Sequence, residues 1–183
     1  RVAARARAAF GPVHVLDPFG VSGCPGAAFN PMTGLDPHGL DPHGLDVAED
    51  AAVLADALVY DPPGQSGDAH WNEEAKALIA GVVLHVVTSE PSDARNLATV
   101  REHLTAAPAA FTDLLEAMQA SSAAGGLVAR AANRQLGKSD REAAGVLSSA
   151  QRHTHFLDSP RMTAVMGRSD FAFADLKAGT ATV

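Results

Sequence analysis

Three groups of residues in this chain have the types and spacing for chemistry: a Gly-Lys-Ser triplet, a set of histidines and a basic stripe. Gly137-Lys138-Ser139 has the ending of a phosphate-binding loop. The complete pattern needs another Gly five residues before Gly137, and Ala132 stands there. The triplet also follows a helical pattern, whereas a phosphate loop follows a strand. It therefore reads as the C-terminus of one helix meeting the N-cap of the next. Gly20, Gly23 and Gly26 follow a β-like run, but their spacing is not that of a dinucleotide loop and no helix opens after them, so they read as a turn.

Eight histidines raise the question of a metal. His153 and His155 sit two apart on a helix and face different ways, so they do not share an ion easily. His38 and His43 lie in a repeated loop beside Asp36 and Asp41, the one place where an adventitious metal could gather, but without Cys partners or i,i+4 spacing. His85 falls inside an apolar helix and reads as a hydrogen-bonded core or boundary residue. His70, beside Trp71, reads as a contact at a helix start. Arg130, Arg134, Lys138 and Arg141 recur near helical spacing, and Arg152 follows. These five are the candidate contacts to a partner or to DNA, because a basic stripe suits phosphates or an acidic surface. The formal charge of −7 and the lack of interleaved aromatics favour a solvated helix face instead. The acids are spread with no pair placed for general acid and base work, and no Ser or Cys nucleophile motif is present. No catalytic, cofactor-binding or metal residue is assigned within the chain.

The elements that must position these residues are helices. The chain has 183 residues, enough for one domain with a sizeable core, and its apolar content of 46% includes only 5% aromatics. Ala and Leu dominate, and both favour helix. Cys24 is alone, so no internal disulfide forms, which fits a reducing compartment. No signal peptide or transmembrane run is evident. The organising stretch is a helix over residues 69–88, which holds the only Trp and the longest apolar run. Asp68 can cap its start, and Glu73 and Glu74 suit its positive end. Its second half is apolar nearly all round, which places it inside a bundle, yet it is too short to span a bilayer.

Other helices are expected around it. A short one covers residues 1–9, ended by Gly11 and Pro12. Val13-His14-Val15-Leu16 reads as a strand closed by a turn, and residues 20–46 read as an extended Gly/Pro/Asp loop. In that loop Leu35-Asp36-Pro37-His38-Gly39 is repeated at once, a tandem copy expected to lie outside the packed core. Asp46 and Glu49 form a capping pair for a helix over 47–59, with Val47, Ala51, Leu54 and Leu58 inward. Further helices begin near Asn96, at Pro108, at 127 and, capped by Ser139 with Glu142, at 140 to about 156. Residues 121–126 read as a loop. Ser159-Pro160 opens a short helix to about Met166, Phe171-Ala172-Phe173 anchors a turn, and Thr180-Ala181-Thr182-Val183 starts a strand. The fold class is mainly α: a bundle of about six to seven helices flanked by short strand pieces. Strand, helical block, strand is the pattern of a helical domain inserted between two strands of another domain. Arg1 and the β-like run at Val183 read as the cut ends of a piece of a longer protein.

Several phrases together carry a family resemblance. They are Val13-His14-Val15-Leu16-Asp17-Pro18-Phe19-Gly20, Phe29-Asn30-Pro31, and Asp68-Ala69-His70-Trp71-Asn72-Glu73-Glu74-Ala75. Asn96-Leu97-Ala98-Thr99-Val100-Arg101 and Phe156-Leu157-Asp158-Ser159-Pro160-Arg161-Met162, with Ser169-Asp170-Phe171, complete the set. In this order they resemble the TraG-type coupling proteins of type IV secretion, membrane-anchored ATPases that pass DNA–relaxase complexes or effector proteins to a secretion channel. The resemblance implies that residues 47–178 are the all-α domain, inserted in a RecA-like nucleotide-binding domain to which residues 1–19 and 179–183 belong. It places the Walker A loop before residue 1 and the Walker B motif after Val183. ATP and Mg are thus expected for the parent and no cofactor for this piece, which should not hydrolyse ATP. The resemblance also implies a parent that is hexameric at the cytoplasmic face of the bacterial inner membrane, and a piece that is monomeric. Its expected partners are relaxase or effector proteins, with other components of the secretion system. Single-stranded DNA contact at the mouth of the motor, and a purely structural brace for the hexamer, are the alternatives.

Overall fold

The computed structural model describes residues 2–36, 45–60 and 69–183. The helices are α1 (Val2–Arg7), α2 (Leu45–Leu58), α3 (Ala69–Ser89), α4 (Leu97–Leu104), α5 (Pro108–Gln119), α6 (Ala123–Leu136), α7 (Asp140–Thr154), α8 (Pro160–Met166) and α9 (Asp175–Ala178). Those from α2 to α8 make the bundle. Among the described residues no helix is long and apolar enough to cross a membrane.

Helix α3 is the spine, with α2, α4, α6 and α7 packed on it. Ile79, Val82, Val83, Val86 and Val87 are fully buried, as expected for a helix apolar on every side. One position sets how closely α6 approaches: a Cβ on Gly81 would collide with the Cβ of Ala131. The smaller helices follow their sequence signals. Asn96 caps α4, its Oδ1 accepting from the N–H groups of Ala98 at 2.9 Å and Thr99 at 3.3 Å. Leu97, Val100 and Leu104 then point inward and are fully buried. Pro108 opens α5, which buries Phe111, Leu114, Leu115 and Met118. The Ser139 hydroxyl accepts from the Glu142 N–H at 3.4 Å and starts α7.

Five expectations need correction. Helix α2 begins at Leu45, so Asp46 lies in its first turn and is not the cap. The stretch 121–126 is not all loop, because α6 starts at Ala123; Ala124, Gly125 and Gly126 have φ of 48°, 61° and 81°, and regular right-handed turns begin only after them. Helix α7 ends at Thr154 and tightens into a 3-10 turn over His155–Asp158. The β-like runs at 13–16 and 180–183 meet in one parallel bridge, Val13 with Thr182, and no strand ladder forms among the described residues. Two residues pairing without further neighbours do not sustain a sheet. The short helix α9 has no signal in the sequence reading.

The fifth correction concerns the loop. Its described part, residues 20–36, is tied to the bundle: Asn30 is buried, its Nδ2 donates to the Arg95 carbonyl at 2.8 Å, and its Oδ1 accepts from the Met32 N–H at 3.0 Å. Met32 and Leu35 enter the core. Leu35, the first residue of the tandem copy, is therefore packed and not outside; residues 37–44 of the copy, and the Asp68 cap, lie outside the described residues. His14 stacks on Phe171 at 4.6 Å and Phe29 meets Phe173 edge-on at 4.7 Å, so the aromatic turn pins the first and last segments together.

Candidate functional site

The five basic candidates do not form one surface. Only Arg134 and Lys138 meet at the seam where α6 crosses the N-terminal half of α3. Glu74 of α3 engages both, although the Arg134 side chain stays 54% exposed. Arg134 of α6 donates to it through Nη2 at 2.6 Å and Nε at 2.9 Å, and Lys138 Nζ lies 2.7 Å away. The Glu74 and Lys138 side chains are only 13% and 10% exposed, so this is a partly desolvated ion triad. The bond from Arg134, aided by Lys138 and opposed by burial, holds the Glu74 carboxyl down at about 2. A cation so engaged has little left to offer a phosphate. Arg130 donates to the Gly125 carbonyl at 3.3 Å, and Arg141 is exposed with no ion pair among the described residues. Gly137-Lys138-Ser139 is a helix C-cap followed by an N-cap, as its context predicts.

Arg152 belongs to a different cluster. Asn72 of α3, 2% exposed, accepts at its Oδ1 from the Ser149 hydroxyl at 2.9 Å and from Arg152 Nη2 at 3.0 Å. His153 Nε2 lies 3.0 Å from the same oxygen. One turn away the Trp71 ring rests on Gly145, where a Cβ would stand 2.6 Å from the indole. Trp71, Gly145, Ser148, Ser149 and Arg152 line an open cleft of about 240 Å³. The sequence reading missed this cluster. The signal that could have found it is Gly145, an isolated Gly inside a helical pattern, which marks a close approach.

Two further arrangements frame the seam. Arg101 of α4 forks onto Asp158 at 2.7 and 2.8 Å, and its Nη1 donates to the Gln151 carbonyl at 2.7 Å and the Thr154 hydroxyl at 3.0 Å. His85, buried in α3, meets His103 at 5.8 Å between ring centroids, and Glu90 lies 3.4 Å from His103 Nε2. Burial first, and then the neighbouring His103, lower the His85 pKa. His70 leans on Trp71 edge-on at 5.4 Å and stands 3.6 Å from Glu142, a contact at the helix start as the sequence suggests. Among the described residues no three His, Cys, Asp or Glu side chains converge as a metal site. His38 and His43 lie outside the described residues.

The ordered phrases quoted above are therefore spread over α3, α4 and the α7–α8 corner, and they hold structural contacts. Arg101 and Asp158 come from two of them and meet in a forked ion pair. A family described as type IV secretory system conjugative DNA transfer matches residues 2–183, nearly the whole chain. The chain belongs to that family. It is also 28% identical over 125 residues to the conjugal transfer protein TraG of Escherichia coli, an alignment that covers 65% of this chain and 20% of the relative. The chain thus spans about a fifth of that curated relative's length. No solved structure matches it significantly. Membership of the conjugative transfer family assigns the chain a role in type IV secretion.

Proposed function

We propose that the helical bundle is the substrate-recognition domain of a type IV secretion coupling protein, recruiting relaxase–DNA complexes or effector proteins to the secretion channel. The observation that carries the reading is the distribution of exposed apolar side chains. Of the eleven large ones exposed among the described residues, seven fall within 1–21 and 173–183, including Phe10, Phe19, Val21 and Phe173. Those two segments are joined by the Val13–Thr182 bridge, in which the His14 N–H donates to the Thr182 carbonyl at 2.8 Å. Exposed apolar side chains concentrated on these flanking segments suit packing on a neighbouring domain and leave the helices from α2 to α8 as the unit that meets cargo. This supports the domain division in which 1–19 and 179–183 belong to a nucleotide-binding domain and 47–178 to the insert.

In this reading ATP and Mg act in the parent motor, not in the bundle. The parent is a hexamer at the cytoplasmic face of the inner membrane, working with other components of the secretion system. The seam chemistry fits protein recognition better than bulk phosphate binding: net charge is −7, and Glu74 engages Arg134 and Lys138. The test is a titration of the 183-residue chain with relaxase from the same conjugative element. Saturable binding that survives nuclease treatment is expected. No binding to relaxase or to any effector of the system would overturn the proposal.

A further inference from the structure

We infer that the groove between α2 and α3 receives a basic amphipathic helix of a partner protein. The inference rests on the reading above and names the kind of segment the bundle takes and where it lies. Residues 46, 49, 50, 53 and 57 recur on α2 at the i, i+3, i+4, i+7, i+11 spacing of one helix face, and all five are exposed. The opposite face, with Val47, Ala51 and Ala55, is buried. The outward face therefore reads Asp46, Glu49, Asp50, Val53, Ala57. Residues 45–60 hold four acids and no Lys or Arg. A solvated helix face would explain the acids but not Val53, which is 69% exposed among them. Of the four large apolar side chains exposed outside 1–21 and 173–183, two, Val53 and Tyr60, belong to α2 and the residues at its C-terminal end.

The groove beside this face has an apolar floor. Ala52 and Val53 of α2 line it with Ala77 and Ala80 of α3, and its volume is about 520 Å³. Small side chains on both walls leave room for a third helix to approach. The cations at the groove are already matched. Lys76 Nζ is shared by Asp56 at 2.7 Å and Glu73 at 2.9 Å, and Arg134 forks onto Glu74. Asp46, Glu49 and Asp50 have no ion pair among the described residues, so they form a negative edge beside an apolar strip. Charge complementarity selects a segment with apolar residues on one face and Lys or Arg beside them, laid into the groove as a helix. The outward face from Asp46 to Ala57 is about 16 Å long, about three turns of such a helix. The same edge repels a nucleic-acid strand.

The experiment titrates the 183-residue chain into a labelled peptide of about 14 residues, built from Lys and Leu at helical spacing and followed by anisotropy at low salt. Saturable binding is expected, weakened by added salt, and the same peptide with Glu in place of Lys should not bind. Val53→Lys should weaken binding about tenfold with an unchanged unfolding midpoint, because the side chain lies outside the core. Glu49→Gln with Asp50→Asn should weaken it about threefold to tenfold, the scale of two exposed ion pairs. Asp113→Asn with Glu116→Gln removes the same charge from the exposed face of α5 and should change nothing. An equal loss from the α5 pair, or binding indifferent to Val53→Lys, overturns the inference in favour of bulk charge. Self-association of the chain that Val53→Lys abolishes, with no peptide binding, overturns it in favour of a second copy. Relaxase is titrated in parallel and should lose affinity with Val53→Lys as the peptide does. Relaxase bound equally by wild type and Val53→Lys overturns the groove and leaves the earlier reading. Peptide bound by a chain that ignores relaxase and effectors supports the groove and sinks only the earlier reading.

Discussion

Glu74 and Arg134 are sixty residues apart and share two hydrogen bonds, of 2.6 and 2.9 Å, across the α3–α6 seam. The pair decides how a basic stripe visible in the sequence is used. Two of its members, Arg134 and Lys138, are engaged by Glu74, and the others are Arg130 in the middle of α6 and the two on α7.

Glu74→Gln should cost about 2 kcal/mol, because it weakens charged hydrogen bonds, removes the carboxylate paired with Arg134 and leaves Lys138 only Glu142 at 3.9 Å. The wild-type carboxyl, held at about 2 instead of its ordinary 4.5, contributes stability that is present above pH 4.5 and lost as pH falls toward 2. Urea unfolding across that window should show a steeper acid loss for wild type than for the variant. Parallel curves would contradict the assignment.

Arg101→Lys should lower the unfolding midpoint by about 2–4 °C, the scale of a 1 kcal/mol loss in a chain of this length. Lysine cannot fork onto Asp158 while also reaching the Gln151 carbonyl and the Thr154 hydroxyl. Differential scanning calorimetry checks this, and an unchanged midpoint would show that the fork is an incidental surface contact.

His85 predicts a second pH dependence. Its lowered pKa means that the unfolded chain binds a proton more readily than the folded one. Its contribution is therefore complete above about 6.5, the ordinary value, and declines as pH falls below it. The groups facing it are Ser89 and Glu90 at the end of α3 and His103 on α4. His85→Leu should flatten the stability profile just below pH 6.5, and an unaltered slope there would assign the effect to other histidines.

Gly81→Ala sets two effects against each other. Alanine in a helix interior gains up to about 1 kcal/mol over glycine, whereas overpacking a core costs about 1–3 kcal/mol. The collision with Ala131 involves a Cβ on a neighbouring helix, which cannot swing aside, so the cost should win. A stabilised variant would mean that α3 and α6 separate easily.

Much of the bundle was legible in the sequence. The stripe Phe111, Leu114, Leu115 and Met118, the Asn96 start of α4, the Ser139 cap and the all-round burial of α3 each follow from one local signal, a period or a cap, that tertiary contacts reinforce. The seam was not legible, because its contacts join residues about 60 to 80 positions apart. A basic residue on a helix looks the same whether it faces water or reaches Glu74. Nor does sequence reveal that the apparent surface loop is held by the Asn30 side chain together with backbone bonds such as Phe29 N–H to the Val165 carbonyl and Asp170 N–H to the Ala28 carbonyl. Gly145 was the clue left unread, since its lack of a side chain has meaning only once Trp71 is brought against it.

The central claim, that the bundle selects cargo and does not drive the motor, is tested most directly in the full-length protein. Residues 47–178 are replaced by a short Gly/Ser linker joining the segments on either side of the bundle, and relaxase co-purification is measured beside ATP hydrolysis. The account predicts that relaxase is lost while hydrolysis persists. Relaxase retained on the deleted protein, or hydrolysis and hexamer assembly lost with cargo choice unchanged, would contradict it.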